Sequence, residues 1–384
     1  MYYIHLALGL AFCVTIAIVG VTGALYSYAD DIMDYERIRY ISPYKTAGVR
    51  ALNAEEIGAQ FLAQKPNASI RFFYATNLKD DLKHIAIYAV ENEQYGYYEI
   101  NPYSGEIITD GAKSVKFFTA VMTLHRFLSF EGMSAIGKHI VAATAVAIIV
   151  LSISGILLYL PRLKRDLFKS LRIELKSKGY KFWYQLHSVI GVFTLVFVLI
   201  MCLTGLWWSY EWYRNFLNQL AGVESVAYAL NEDKEMASGD PRELQKTIDA
   251  AKDMINNCAA YYIRVPFKNE PYELSYSNVR YGAYNILKID AQNGAIISQE
   301  LYKDKTIGQK LIQNIYALHS GQFFGEIGKA LWCVSSLSMA LFGISGAIMF
   351  YKRTKRKRSA AKAQSVERAA TLASLREGAK NEYN

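Results

Sequence analysis

The sequence predicts an α-helical membrane protein with α+β domains on the outer side of the bilayer. Three observations predict it: four long apolar runs, two basic clusters set against apolar ends, and a chain that repeats itself. The apolar runs are residues 4–28, 136–160, 184–209 and 328–351, in a chain of 384 residues that is 52% hydrophobic. At 1.5 Å per residue each can cross a hydrocarbon layer about 30 Å thick.

The net charge of +9 would suit nucleic acid, but its distribution argues against that partner. Pro161–Lys181 carries eight Lys/Arg against two acids, and Tyr351 is followed by six basic residues in seven. Both clusters adjoin apolar ends. Because Lys and Arg accumulate in cytoplasmic loops, the loop and the C-terminal tail read as cytoplasmic. Four spans then place the N-terminus inside as well. Aromatic residues sit at span ends, where amphipathic rings favour the water–lipid interface: Tyr26 and Tyr28, Trp183, then Trp207, Trp208 and Trp212.

The expected order is a first span at 4–28, an outer α+β domain at 29–116, and a pre-helix with the second span at 117–160. A basic cytoplasmic loop at 161–183 leads to the third span at 184–209. A second outer domain fills 210–310, a pre-helix and fourth span fill 311–351, and a basic tail fills 352–384. Ser27-Tyr28-Ala29 resembles a signal-peptide cleavage site, but the apolar run is too long and no basic segment precedes it. The expectation is that this segment stays as a span. Cys13, Cys202, Cys258 and Cys333 have no disulfide or zinc spacing and read as small packing residues.

The repeat covers spans and outer segments alike. His5 and Thr22-Gly23 in span one match His187 and Thr204-Gly205 in span three, with seventeen residues from His to Thr in both. Gly137-Lys138 to Ser154-Gly155 matches Gly328-Lys329 to Ser345-Gly346, with eighteen residues from Gly to Gly. Leu124-His125 and Leu318-His319 precede these. Outside, Asn101–Ile108 parallels Asp290–Ile297, each turning on a glycine, Gly105 or Gly294. Helical patterns are expected at Ala54–Gln64 and Pro241–Asn256. Short antiparallel strands are expected at His84–Val90, Tyr95–Ile100, Tyr272–Asn278 and Tyr284–Asp290.

Five of six histidines lie in or near spans, where an ionisable group needs a partner or a purpose. The plain alternative is that each ring hydrogen-bonds a neighbouring helix. Chain direction places His5 and His187 near the cytoplasmic face, and His125 and His319 near the outer face. Two imidazoles facing each other can ligate one haem iron, so four could hold two haems stacked across the membrane. Gly9, Gly23, Gly191 and Gly205 share the histidine-bearing helices and would leave room for a flat macrocycle, or let helices approach closely. His139 breaks the repeat and is an alternative to His125 as ligand; His84 sits in an outer strand and reads as structural. Arg126, Lys138 and Lys329 are candidate partners for haem propionates, or snorkelling cations.

These motifs resemble the PepSY-associated transmembrane family, which includes iron-regulated membrane proteins and ferric-siderophore reductases. The resemblance runs over about residues 4–352. It implies two haem b groups held by His5, His125, His187 and His319. It also implies a reductase of the cytoplasmic membrane that delivers electrons to a ferric siderophore or other ferric chelate outside and releases Fe(II). No dinucleotide fingerprint or P-loop is visible. The electron donor would therefore be separate, a quinol or a cytoplasmic reductase. Rival expectations are a membrane-anchored peptide- or protease-binding protein or sensor, and a siderophore transporter. Transport favours broken helices near the midplane, and Val141–Ile149 and Gly191–Ile200 contain no proline.

Overall fold

The computed structural model describes residues 1–78, 82–108, 113–129, 134–223, 237, 239–290 and 292–381; Ala291 of the second turn motif lies outside them. The first apolar run forms α1 (Tyr2–Tyr26), and a two-residue break leads to α2 (Ala29–Thr46), a helix the sequence pattern did not reveal. Asn53 caps α3 (Ala54–Gln64) in a capping box with Glu56, so the helix begins where its first free N–H groups find acceptors. Strands β1 (Ala68–Asn77), β2 (Lys83–Glu91) and β3 (Gln94–Ile100) follow as a meander. Gly105, at φ +72°, makes the turn that folds residue 107 back on Ile100. Next come α4 (Lys113–Phe127) and the second long helix α5 (Ala135–Arg165), capped by the Ser134 hydroxyl.

The second half repeats the scheme. After α6 (Leu167–Ser170), the third apolar run forms α7 (Tyr180–Gly205), which ends in a 3₁₀ turn at Leu206–Trp208. Beyond this helix lie α8 (Glu211–Leu220), α9 (Pro241–Ala250) and α10 (Lys252–Ile255). Asp240 caps α9 and proline starts it, but the expected helix Pro241–Asn256 is broken at Ala251. Strands β4 (Ala260–Arg264), β5 (Tyr272–Ser277), β6 (Asn285–Asp290) and β7 (Ala295–Glu300) precede α11 (Ile307–Gln313) and α12 (Ile315–Ser320). The last helix, α13 (Gly325–Asn381), carries the fourth apolar run and continues through the basic tail without a break. Four helices are long and apolar enough to cross a membrane: Tyr2–Tyr26, Ala135–Arg165, Tyr180–Trp208 and Gln322–Ala369.

The strands of both segments between the spans join in one antiparallel sheet of order β3-β2-β1-β4-β5-β6-β7. The join is β1 against β4, where Phe72–Thr76 pairs with Ala260–Arg264. One hydrophobic core serves both halves: Phe61, Phe73 and Ile87 from the first, and Leu244, Ile263 and Leu287 from the second. The matched helices α3 and α9 lie side by side on this core. A Cβ at Gly58 would stand 2.9 Å from the Pro241 ring, so only glycine permits this approach.

In the bundle α1 packs directly on α13. A Cβ at Gly20 would lie 2.6 Å from the Ser336 carbonyl, and one at Gly343 would lie 2.7 Å from the Cys13 carbonyl. Small residues that allow backbone contact are the usual basis of tight helix association in lipid. The cysteines are unbridged, as the spacing implied.

A buried ionic network fastens the sheet to the helix that continues from the first span. Arg37 of α2 forks onto both oxygens of Glu99 on β3 and also bonds Asp34 at 2.7 Å. Arg280, after β5, bonds Asp34 from the other half of the chain. Burial alone would raise the Glu99 carboxyl; hydrogen bonds from His84 and Arg37 outweigh it and hold it at about 2. His84 is structural, as expected: it is buried, with Nε2 at 3.6 Å from Glu99 and 3.4 Å from the Tyr97 hydroxyl. Burial and the nearby Arg37 hold its pKa below the usual imidazole value.

Candidate functional site: two histidine pairs

The four repeated histidines form two pairs. His5 on α1 faces His187 on α7 with ring centroids 6.3 Å apart and planes 73° apart. His125 on α4 faces His319 on α12 at 6.5 Å and 65°. Each pair takes one ring from each half of the chain. Since His5 and Thr22 are seventeen residues apart on one helix, the two levels lie about 25 Å apart along α1.

Every ring is held in the same way. Nδ1 of His5 meets the Ser154 hydroxyl at 2.9 Å, and that of His187 meets Ser345 at 2.8 Å. Nδ1 of His125 meets Thr22 at 2.9 Å, and that of His319 meets Thr204 at 3.0 Å. In the repeated Thr-Gly and Ser-Gly motifs the hydroxyls thus have a role beside that of the glycines. Their hydroxyls were legible as repeated polar groups one residue before a repeated glycine, deep in an apolar helix.

The glycines act on the histidines at short range. A Cβ at Gly155 would come 3.2 Å from Cε1 of His5, one at Gly23 3.3 Å from Cε1 of His125, and one at Gly205 3.1 Å from Cε1 of His319. Gly205 therefore clears the His319 imidazole, and Gly23 clears both the His125 imidazole and the Ser336 hydroxyl, which a Cβ there would meet at 2.6 Å. Gly9 and Gly191 instead line a largely apolar cavity of about 390 Å³ that contains His5 and His187, together with Gly155 and Gly346. Nothing stands within 4 Å of the Cβ position at Gly346. Phe342 walls this level at 5.2 Å from the His187 ring, and Trp208 walls the outer one at 5.3 Å from His319.

Other residues singled out by sequence lie elsewhere. His139 is exposed and stacks on Tyr210 at 5.8 Å, so the ring facing His319 is that of His125. Arg126 is exposed beside the Phe127 ring. Lys138 is half-buried. Lys329 is engaged by Asp31 at 2.7 Å and Glu326 at 3.0 Å, two carboxylates that already neutralise it. Several tyrosines are engaged in packing: Tyr98 on Phe61, Tyr281 on Tyr316 and Tyr262 on Tyr284, with Tyr261 buried in the core.

No curated relative matches the chain. The family described as PepSY-associated TM region matches residues 2–353, from the first span through the fourth and across the sheet between them. This is a multi-pass membrane protein with an antiparallel sheet domain, and it belongs to the PepSY-associated transmembrane family.

Proposed function

We propose that the chain is a dihaem membrane reductase that moves electrons across the bilayer to a ferric chelate, such as a ferric siderophore, on the side of the sheet. One observation carries this reading: both histidine pairs have the separation a bis-imidazole iron requires. With about 2 Å from iron to each nitrogen and about 1.1 Å from that nitrogen to the ring centre, the centroids should stand about 6.3 Å apart. The observed values are 6.3 and 6.5 Å.

The donor set agrees. Among the described residues no group of three His, Cys, Asp or Glu could hold a metal ion. Two opposed imidazoles suit a macrocycle that brings its own four equatorial nitrogens. The apolar cavity beside His5 and His187 falls in the size range of small-molecule sites. When bound, haem supplies one-electron chemistry in a low-dielectric interior. Both axial positions being filled by protein favours outer-sphere transfer over oxygen chemistry. One-electron reduction suits release of iron, because hard oxygen donors hold Fe(III) far better than Fe(II).

The basic clusters at 161–183 and after Tyr351 support a cytoplasmic loop and cytoplasmic termini, with the sheet outside the cytoplasmic membrane. A quinol or a cytoplasmic reductase would then supply electrons at the His5–His187 level. The test uses full-length protein purified in detergent from haem-replete cells. The expected result is a sharp low-spin haem spectrum, about two haems per chain by the reading above, and reoxidation of the reduced protein by ferric chelates. Colourless protein overturns the proposal; red protein that no ferric chelate reoxidises overturns the choice of acceptor.

A further inference from the structure

The four hydroxyls carry an inference that deepens the haem reading and rests on it. A serine or threonine hydroxyl has one proton to donate. Thr22 spends it on the Ile18 carbonyl at 2.7 Å and Thr204 on Ile200 at 2.6 Å. Ser154 and Ser345 donate to Leu151 and Phe342 at 3.2 and 3.3 Å. With that proton spent, each oxygen can only accept from the imidazole Nδ1.

We infer that Thr22, Thr204, Ser154 and Ser345 are positioning residues that lock all four histidines in the Nδ1–H tautomer and hold the rings of each pair crosswise. The tautomer leaves the lone pair on Nε2, the form that ligates a metal. Such outer partners fix ring orientation and raise ligand basicity. The glycines close the remaining freedom. A Cβ at Gly155, Gly23 or Gly205 would come 3.1–3.3 Å from a histidine Cε1, so the rings of His5, His125 and His319 lie close against the helix whose hydroxyl holds their Nδ1. A ring fixed at both points cannot turn about its bond to a metal. The 65° angle between His125 and His319, both fixed in this way, therefore belongs to the protein and persists when a macrocycle is held between the rings, while the 73° at the other pair rests on His5 fixed at both points and on the Ser345 hydroxyl at His187. The ties lie within one half of the chain, His125 to Thr22 and His319 to Thr204, so each half sets its own ring plane.

Electron paramagnetic resonance of the oxidised full-length protein tests this, because crossed imidazole planes give a low-field, ramp-shaped low-spin signal and parallel planes give an ordinary rhombic one. The expectation is two crossed-plane signals. Thr22→Val, equal in shape and lacking the hydroxyl, should convert only the outer signal, raise that haem's midpoint potential and weaken its retention by on the order of 10-fold or more. Thr22→Ser should restore the original spectrum. Ser345→Ala repeats the experiment at the inner pair, so failure of one variant to fold does not end the test. Unmoved signals and potentials in both variants, with His125→Ala losing a haem as it should, overturn the positioning role and leave the haem reading intact. Rhombic signals in the unmodified protein overturn the crosswise clamp. Colourless unmodified protein overturns both.

Discussion

Replacing Arg37 by methionine should loosen the sheet by about 3 kcal/mol at neutral pH while leaving the membrane helices folded. The guanidinium is 4% exposed and its partner Glu99 is fully enclosed, so the mutation strands a carboxylate in a place that water does not reach. Two routes give the size. Glu99 titrates at about 2 in place of 4.5 under hydrogen bonds from His84 and Arg37 together, so at about 1.4 kcal/mol per unit the arginine's share is at most roughly 3 kcal/mol. Breaking a buried pair by removing one partner typically costs about 3–5 kcal/mol. Methionine fills most of the arginine stem's volume, so little of the effect comes from lost packing. Hydrogen exchange of β2 and β3 in the full chain reads the change directly, as roughly 10²-fold faster exchange at neutral pH. Replacing both residues, Arg37→Met with Glu99→Leu, should recover most of the loss because no charge is left without a partner. Exchange within about 5-fold of the parent, a difference of about 1 kcal/mol, would refute the reasoning and reduce the network to surface-like pairing.

Acid should act on the same place. Glu99 has a folded value below its free one, so its contribution is full above 4.5 and is lost as pH falls from there towards 2. The folded value of His84 is also lowered, so its contribution is full above 6.5 and begins to fall below that pH. Near-ultraviolet circular dichroism of the tyrosine-rich sheet should weaken in two stages on acidification, and Glu99→Gln should remove the lower stage. Two glycine replacements separate room for a ligand from room for a side chain. Gly346→Leu points into open space, so thermal stability should hold within about 1 kcal/mol while haem at the His5–His187 level is lost. Gly205→Val meets Cε1 of His319 and should remove haem from the outer pair alone, read as the haem-to-protein ratio.

Much of this was legible because bilayers and duplications leave coarse marks. The spans follow from apolar length, and the histidine pairs from equal spacing in two halves. The capped helices α3 and α9 and strands β2, β3, β5 and β6 follow from caps and alternation. What escaped has physical reasons. Strand β1 contains Arg71 and a bulge between Ile70 and Phe72, and β4 is only five residues long, so neither shows clean alternation. Their pairing joins the halves, and long-range register leaves no local signal. Lys329 looked free because its partner Asp31 lies 298 positions away. His139 stood as an alternative to His125 because both lie near the same end of span two, and only helix facing separates them.

The arrangement of ties and pairs leads to a prediction about the seam between the halves. Each histidine is tied to a hydroxyl of its own half, yet each pair spans both halves. The distance across a pair therefore measures how the halves are docked, whereas ring orientation measures the local tie. Changes at a tie should perturb one level, and changes at the seam should perturb both. Gly343 on α13 is the seam position for the test. Its Cβ would meet the Cys13 carbonyl at 2.7 Å, and Cys13 lies eight residues above His5 and nine below Thr22 on α1. A leucine there must push α13 away from α1 at mid-depth, and a rigid α1 carries the displacement to both ends. Close-packed interiors transmit such strain rather than absorb it. Gly343→Leu should therefore lower haem retention at both levels together, by comparable factors, where Thr22→Val lowers it only at the outer one. Loss confined to a single level in Gly343→Leu would mean that each pair is fixed by its own helix ends, with no shared hinge at the seam.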